Sequence, residues 1–230
     1  MLFQLKFARQ IQMHSNLSKI DYPLNTFQIE MCYDIQESKT IPGLFLIKGV
    51  IDNEKELIDD IDSQGVWNPI TNSDRSRRVQ HYGYKYNYMT GEKFEPIPNF
   101  LKSCKKKLKK ICKEIGIYDG DQPFNSCIIN EYLPGQGIAA HTDHYKFGSI
   151  IGCFTVGSTA SMVFTPRGSG KDRHVVTIRP EPGSLYIMSG EARKKWKHGM
   201  PARKGDKVDG KRIERGRRIS ITFRHSLPKS

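Results

Sequence analysis

From Leu101 to Ile115 the apolar residues Leu101, Cys104, Leu108, Ile111, Cys112 and Ile115 recur at spacings of mostly three and four. That period places them on one side of an α-helix. The other side is nearly all lysine: Lys102, Lys105, Lys106, Lys109, Lys110 and Lys113. Such a row reads either as a solvated helix face or as a surface that draws a polyanion. Upstream, Ile41-Pro42-Gly43 opens an apolar run, Leu44 to Val50, of the length of a buried strand. Asp52 is placed to cap a helix through Asp60, with Glu54 and Glu56 in a first turn whose dipole favours negative charge. Asn68-Pro69 breaks the pattern. Residues 1–40 hold no sustained period and are expected to be an extension to a domain spanning 41–230.

After Pro123 the texture becomes short apolar or alternating runs separated by glycines. The predicted strands are 126–133, 149–155, 160–166, 173–179, 184–188 and 217–224. Strands this close, with no long helices between them, argue for an antiparallel double sheet or barrel. Residues 203–217 carry seven basic and three acidic side chains and read as a charged loop. From Tyr82 to Tyr88 every second residue is tyrosine, which would put all four on one face of a strand. Either these rings pack on the body of the protein, or they form a stacking surface for bases with Arg77 and Arg78 beside it for phosphate.

Composition narrows the class. With 37% hydrophobic and 27% charged residues over 230 positions, the chain fits one globular domain. No apolar run approaches the roughly 20 residues of a membrane helix. A net charge of +13 points to a polyanionic partner, of which nucleic acid is the commonest. Five cysteines form no CxxC pair, as expected of a reduced intracellular protein of nucleus or cytoplasm. The first acidic residue is Asp21, and Lys6, Arg9 and Lys19 precede it, so a mitochondrial leader is an alternative address. A monomer is the default.

Two motifs carry chemistry. His141-Thr142-Asp143 places an imidazole and a carboxylate on one side of an extended segment. A second histidine would complete the two-imidazole, one-carboxylate set that holds a non-haem Fe(II) and leaves positions open. His198 is the first choice, with His144, His174 and His225 as rivals. In Arg218-Ile219-Ser220-Ile221-Thr222-Phe223-Arg224 the two arginines, the serine and the threonine share one strand face. That face is either solvated or the lining of a pocket with a guanidinium at each end, which suits a dicarboxylate.

Taken in order, Asn130-x-Tyr132-x-x-Gly135, His141-x-Asp143, Ser189-Gly190-Glu191-Ala192-Arg193, His198 and Arg218-x-Ser220-x-Thr222-x-Arg224 resemble the AlkB family of Fe(II)/2-oxoglutarate dioxygenases. The resemblance covers roughly residues 75–225. Ser220 and Ala192 depart from it, standing where the family often has asparagine and serine. The Tyr82-Gly83-Tyr84 and 130–137 segments look closer to the eukaryotic, tRNA-modifying branch than to the bacterial repair enzyme. The resemblance implies an α+β fold: a double-stranded β-helix, or jelly-roll, core with flanking N-terminal helices. It implies His141, Asp143 and His198 as catalytic iron ligands, and Asn130, Tyr132, Arg218, Ser220 and Arg224 around 2-oxoglutarate. It further implies O2 as cosubstrate and oxidative N-demethylation of bases in DNA or RNA, releasing formaldehyde, succinate and CO2. Arg78, Tyr82, Tyr84 and Arg193 are the expected grip on a base that is flipped out or single-stranded. Alternatives are hydroxylation of a modified tRNA base, hydroxylation of a protein side chain, or an inactive nucleic-acid-binding module.

Overall fold

Chain order begins with β1 (Ile35–Glu37), β2 (Leu44–Ile47), α1 (Glu54–Gln64), β3 (Asn68–Pro69), β4 (Arg78–Gly83) and α2 (Lys102–Glu114). It continues with β5 (Ser126–Tyr132), β6 (Ile138–His141), β7 (Phe147–Gly157), β8 (Met162–Pro166), β9 (Val176–Ile178) and β10 (Leu185–Met188). The last elements are α3 (Gly190–Lys194), β11 (Trp196–Met200), β12 (Gly205–Val208), β13 (Lys211–Glu214) and β14 (Arg218–Ser226). This computed structural model describes residues 33–73, 76–84, 95–118, 120, 123–168 and 174–226. The expected leader features before residue 33, and Tyr86 and Tyr88, lie outside the described residues.

Eight strands form one sheet, ordered β1-β2-β10-β7-β14-β5-β4-β3, and four form a second, ordered β6-β11-β8-β9. The paired ladders of both are antiparallel, for instance β14 with β5 and β7, and β11 with β6 and β8. These are the major and minor sheets of a double-stranded β-helix. β14 lies at the middle of the major sheet because its alternation suits two buried faces. Ile219, Ile221 and Phe223 are at most 1% exposed and pack with Ile129, Phe154 and Ile187 against the helical layer. Each such side chain contributes roughly 1.5–3 kcal/mol through burial. The opposite face carries Arg218, Ser220, Thr222 and Arg224 and looks into a cavity.

α2 presents Cys104, Leu108, Ile111 and Cys112 to the major sheet, as its period predicts. It comes so close at Leu108 that a Cβ on Gly152 would collide with that side chain. α1 runs to Gln64 rather than Asp60, and its cap is Asn53, whose side chain accepts from the Glu56 N–H. Asp52 instead meets the Lys107 ammonium at 2.6 Å. β1 pairs with β2, so the sheet begins inside the stretch expected as an extension.

The segment 203–217 is not a loop throughout. β12 and β13 form a hairpin within it, tied down by a buried ion pair. Arg215 donates to both Asp206 carboxylate oxygens at 2.7 Å and to the Pro201 carbonyl at 2.8 Å. Burial would raise the Asp206 pKa, but the Arg215 and Ser161 donors outweigh it and hold the carboxyl at about 2. The four described cysteines, Cys104, Cys112, Cys127 and Cys153, are buried free thiols. Among the described residues no helix is long and apolar enough to cross a membrane.

Candidate metal and cosubstrate site

β6 and β11 are short, and the sequence pattern did not mark them as strands. Their ladder sets His141 opposite His198, with ring centroids 4.4 Å apart. β6 ends at His141, so Asp143 lies in the loop beyond rather than on the strand. Its Oδ2 still comes within 3.4 Å of His198 Nε2. One ligand atom from each of His141, Asp143 and His198 lies within 4.8 Å of the others. No other set of three His, Cys, Asp or Glu side chains among the described residues does so. Burial lowers the His198 pKa to about 4, against the opposing pull of Asp143, so its ring is neutral and offers a lone pair. His141 Nδ1 sits 2.9 Å from the Ala139 carbonyl, a contact that puts the proton on Nδ1 and leaves Nε2 for a metal. Of the rival histidines, His225 faces the Pro123 carbonyl, His144 stacks on Tyr145, and His174 is exposed.

The same cavity, about 390 Å³, is lined by Asn130, Tyr132, Arg218, Ser220, Thr222 and Arg224 along with the three ligands. Register explains the grouping, since Ser220 pairs with Asn130 and Arg218 with Tyr132 across β14 and β5. Arg224 lies at the metal end. Its Nη1 is 3.5 Å from Asp143 Oδ1 and its guanidinium sits 3.6 Å from the Phe147 ring centroid. Arg218 lies at the other end, donating to Thr155 Oγ1 at 2.9 Å beside the Tyr132 ring. Each keeps a buried Nε with no hydrogen-bond partner among the described residues. Burial pushes the Arg224 guanidinium below its ordinary pKa. Buried, half-satisfied guanidiniums at both ends of one cavity fit a ligand with a carboxylate at each end, because leaving such donors unmet is costly. The donor set and the cradle thus fit Fe(II) and 2-oxoglutarate.

Arg193, expected to grip substrate, does something else. It is buried, and its guanidinium donates to the carbonyls of Asp143 at 3.0 Å, His144 at 2.7 Å, Phe147 at 3.2 Å and Gly148 at 3.4 Å. It therefore folds the Asp143 loop onto the segment that leads into His198. Arg78 and Tyr82 stand on the helix-facing side of the major sheet, away from the cavity. Arg78 is forked onto the buried Glu131 carboxylate, and Tyr82 packs edge-on to Phe100 with its hydroxyl on Gln80. β4 ends at Gly83, whose φ is 78°, and Tyr84 just beyond it donates its N–H to the Asn125 carbonyl while its ring is exposed. The neighbour of Arg78, Arg77, does reach the cavity and donates to Asn130 Oδ1 at 3.0 Å. Tyr186, from β10, also lines the cavity without having been singled out.

The chain matches the 2OG-Fe(II) oxygenase superfamily over residues 61–224. It is 35% identical over 201 residues to a protein of Acanthamoeba polyphaga mimivirus named uncharacterized protein L905, a match covering 85% of this chain and 90% of that one. It is 36% identical over 179 residues to a Xenopus tropicalis protein named tRNA (carboxymethyluridine(34)-5-O)-methyltransferase alkbh8, covering 73% of this chain but 26% of the frog protein. The solved structure of OsALKBH1 superposes with a TM-score of 0.55 at 17% identity, over 83% of this chain and 99% of the other. At that identity the likeness is one of fold.

Proposed function

Because the chain belongs to the 2OG-Fe(II) oxygenase superfamily and, within it, to the AlkB family, we propose that it oxidises an N-alkyl group on a base of DNA or RNA. The family takes Fe(II), 2-oxoglutarate and O2. Bound Fe(II) supplies the oxygen activation that turns 2-oxoglutarate into succinate and CO2 while a substrate C–H bond is hydroxylated. His141, Asp143 and His198 would hold the metal. Arg224 would take the carboxylate nearest the metal and Arg218 the distal one, each through the Nε that is otherwise unmet. Arg77, at the cavity lining beside Asn130, replaces Arg78 and Tyr82 as the candidate contact for the incoming base. An N-hydroxymethyl product would then lose formaldehyde and return the unmodified base.

The observation that carries this reading is one cavity holding both the three-ligand cluster and the two unmet guanidinium nitrogens. The nucleic-acid target is supported by the net charge of +13 and by the tRNA in the frog relative's name. The methyltransferase activity in that name is not carried over, since the match spans 26% of that protein. The test is turnover with Fe(II), 2-oxoglutarate and a panel of methylated DNA and RNA oligomers, reading formaldehyde and base mass together. Formaldehyde with loss of a methyl group is expected. A stable mass gain of one oxygen selects tRNA-base hydroxylation instead. Succinate formed only with peptides, or no succinate at all, sinks the proposal.

A further inference from the structure

The lysine row of α2 has no part in the cavity. Leu108, Ile111 and their neighbours bury one side of the helix on the face of the major sheet away from the metal ligands. Lys102, Lys105, Lys106, Lys109 and Lys113 form a ridge on its outer side, and all but the half-buried Lys105 are exposed. Among the described residues none of these five meets a carboxylate. Other lysines do, in the pairs Lys48–Glu181, Lys55–Asp59 and Lys195–Glu191 and, on the flanks of α2 itself, Lys107–Asp52 and Lys110–Glu114.

A solvated helix face has no need of this arrangement. Lys102/Lys106, Lys105/Lys109 and Lys109/Lys113 are like charges four residues apart, and each pair weakens the helix. Lys102 and Lys105 also oppose the helix dipole in a first turn that lacks any acidic residue or side-chain cap. α1 of the same chain is built the opposite way, with Glu54 and Glu56 in its first turn and Asn53 as cap. The ridge is thus held against local stability.

We infer that the α2 ridge is a second nucleic-acid contact surface, which tracks the phosphates of a strand whose target base lies in the metal cavity on the opposite face of the sheet. This rests on the nucleic-acid reading above. From Lys102 to Lys113 the ridge runs about 16 Å at 1.5 Å per residue, the length of roughly five nucleotides at 3.4 Å per step. An anionic membrane fits less well, because interfacial helices insert an apolar face and that of α2 is covered by the sheet. A polynucleotide must pass around the sheet edge to touch ridge and cavity together. Long or folded substrates therefore gain from the ridge and short oligomers do not.

The test is the full chain carrying K102Q, K105Q, K106Q, K109Q and K113Q, a set that keeps helix propensity and leaves the buried face intact. Affinity for a folded RNA and a DNA duplex of several tens of residues would be measured across salt concentrations, beside turnover of a methylated oligomer of three nucleotides. The expected result is at least a tenfold loss of affinity for the long ligands. The slope of log affinity against log salt should shrink by about 3.5 to 4.5, that is about 0.7–0.9 for each of the lysines removed, with short-oligomer turnover and oligomer-free 2-oxoglutarate decarboxylation unchanged. An unchanged slope for the long ligands, or a parent protein that binds neither, overturns the inference. So does a variant whose one loss is binding to phosphatidylserine vesicles. Ridge-dependent binding of long RNA with no turnover of any methylated oligomer would instead sink the proposed activity and leave the ridge standing.

Discussion

His198 stands directly across from His141 in the β6–β11 ladder, with the two rings 4.4 Å apart. This strand pairing aims both imidazoles at one point, and Asp143 reaches the same point only because its loop is folded back. Removing that carboxylate removes one of three ligands without disturbing either strand. Asp143→Ala should keep the folded protein's melting temperature within a few degrees and abolish high-affinity binding of Co(II) in place of Fe(II). Decarboxylation of 2-oxoglutarate should fall below about one-hundredth. Calorimetric titration with Co(II) checks the loss of metal binding, and wild-type affinity would refute the ligand assignment.

Arg193 ties the Asp143 and His144 carbonyls of the loop that carries Asp143 to the Phe147 and Gly148 carbonyls at the start of β7. Arg193→Lys should loosen that loop and weaken metal binding by about 10- to 100-fold, the range for groups that orient ligands. The KM for oligonucleotide should change much less. If Co(II) affinity holds and the oligonucleotide KM rises instead, Arg193 touches substrate and the loop account is wrong.

Arg218 and Arg224 each bury an unmet Nε. Removing a buried cation before its partner has bound should not destabilise the free protein, and should stabilise it slightly. Removing it after the carboxylate has bound costs about 2–5 kcal/mol, or at least a thirtyfold rise in the 2-oxoglutarate requirement. Arg218→Met should therefore keep or raise the melting temperature of the free protein and lose the rise that 2-oxoglutarate confers. Thermal melts with and without 2-oxoglutarate read both effects, and a large destabilisation of the free protein would contradict the pairing.

The Asp206–Arg215 pair makes stability depend on acid. With Asp206 held at about 2 in the folded protein, below its unfolded value of 3.8, its contribution is complete above pH 4. It is lost as the pH falls toward 2, and amounts to at most about 2 kcal/mol. Asp206→Asn should lower the urea midpoint at pH 7 and flatten its fall between pH 4 and 2. Equal slopes in both proteins would assign the acid sensitivity elsewhere.

Much of this molecule follows from sequence periods alone. The three-and-four spacing of Leu101 to Ile115 specifies α2 and its buried side, and the strict alternation of Arg218 to Arg224 puts both guanidiniums on one face. The period of α2 and the alternation of β14 repeat within a few residues, so local geometry suffices to place them. The spacing of His141 and Asp143 marks two candidate ligands, but Asp143 lies beyond the end of β6 and is brought to the site by its folded loop. Tertiary structure alone decided which histidine completes the set, because that depends on the register of two strands too short to show a pattern. It alone chose Arg77 over Arg78, since moving one residue along a strand reverses the side chain's face and only pairing with β5 sets the parity. Arg193 and the β12–β13 hairpin were hidden for a related reason. Their partners are backbone carbonyls and a buried carboxylate brought near by folding, and neither leaves a mark on the order of side chains.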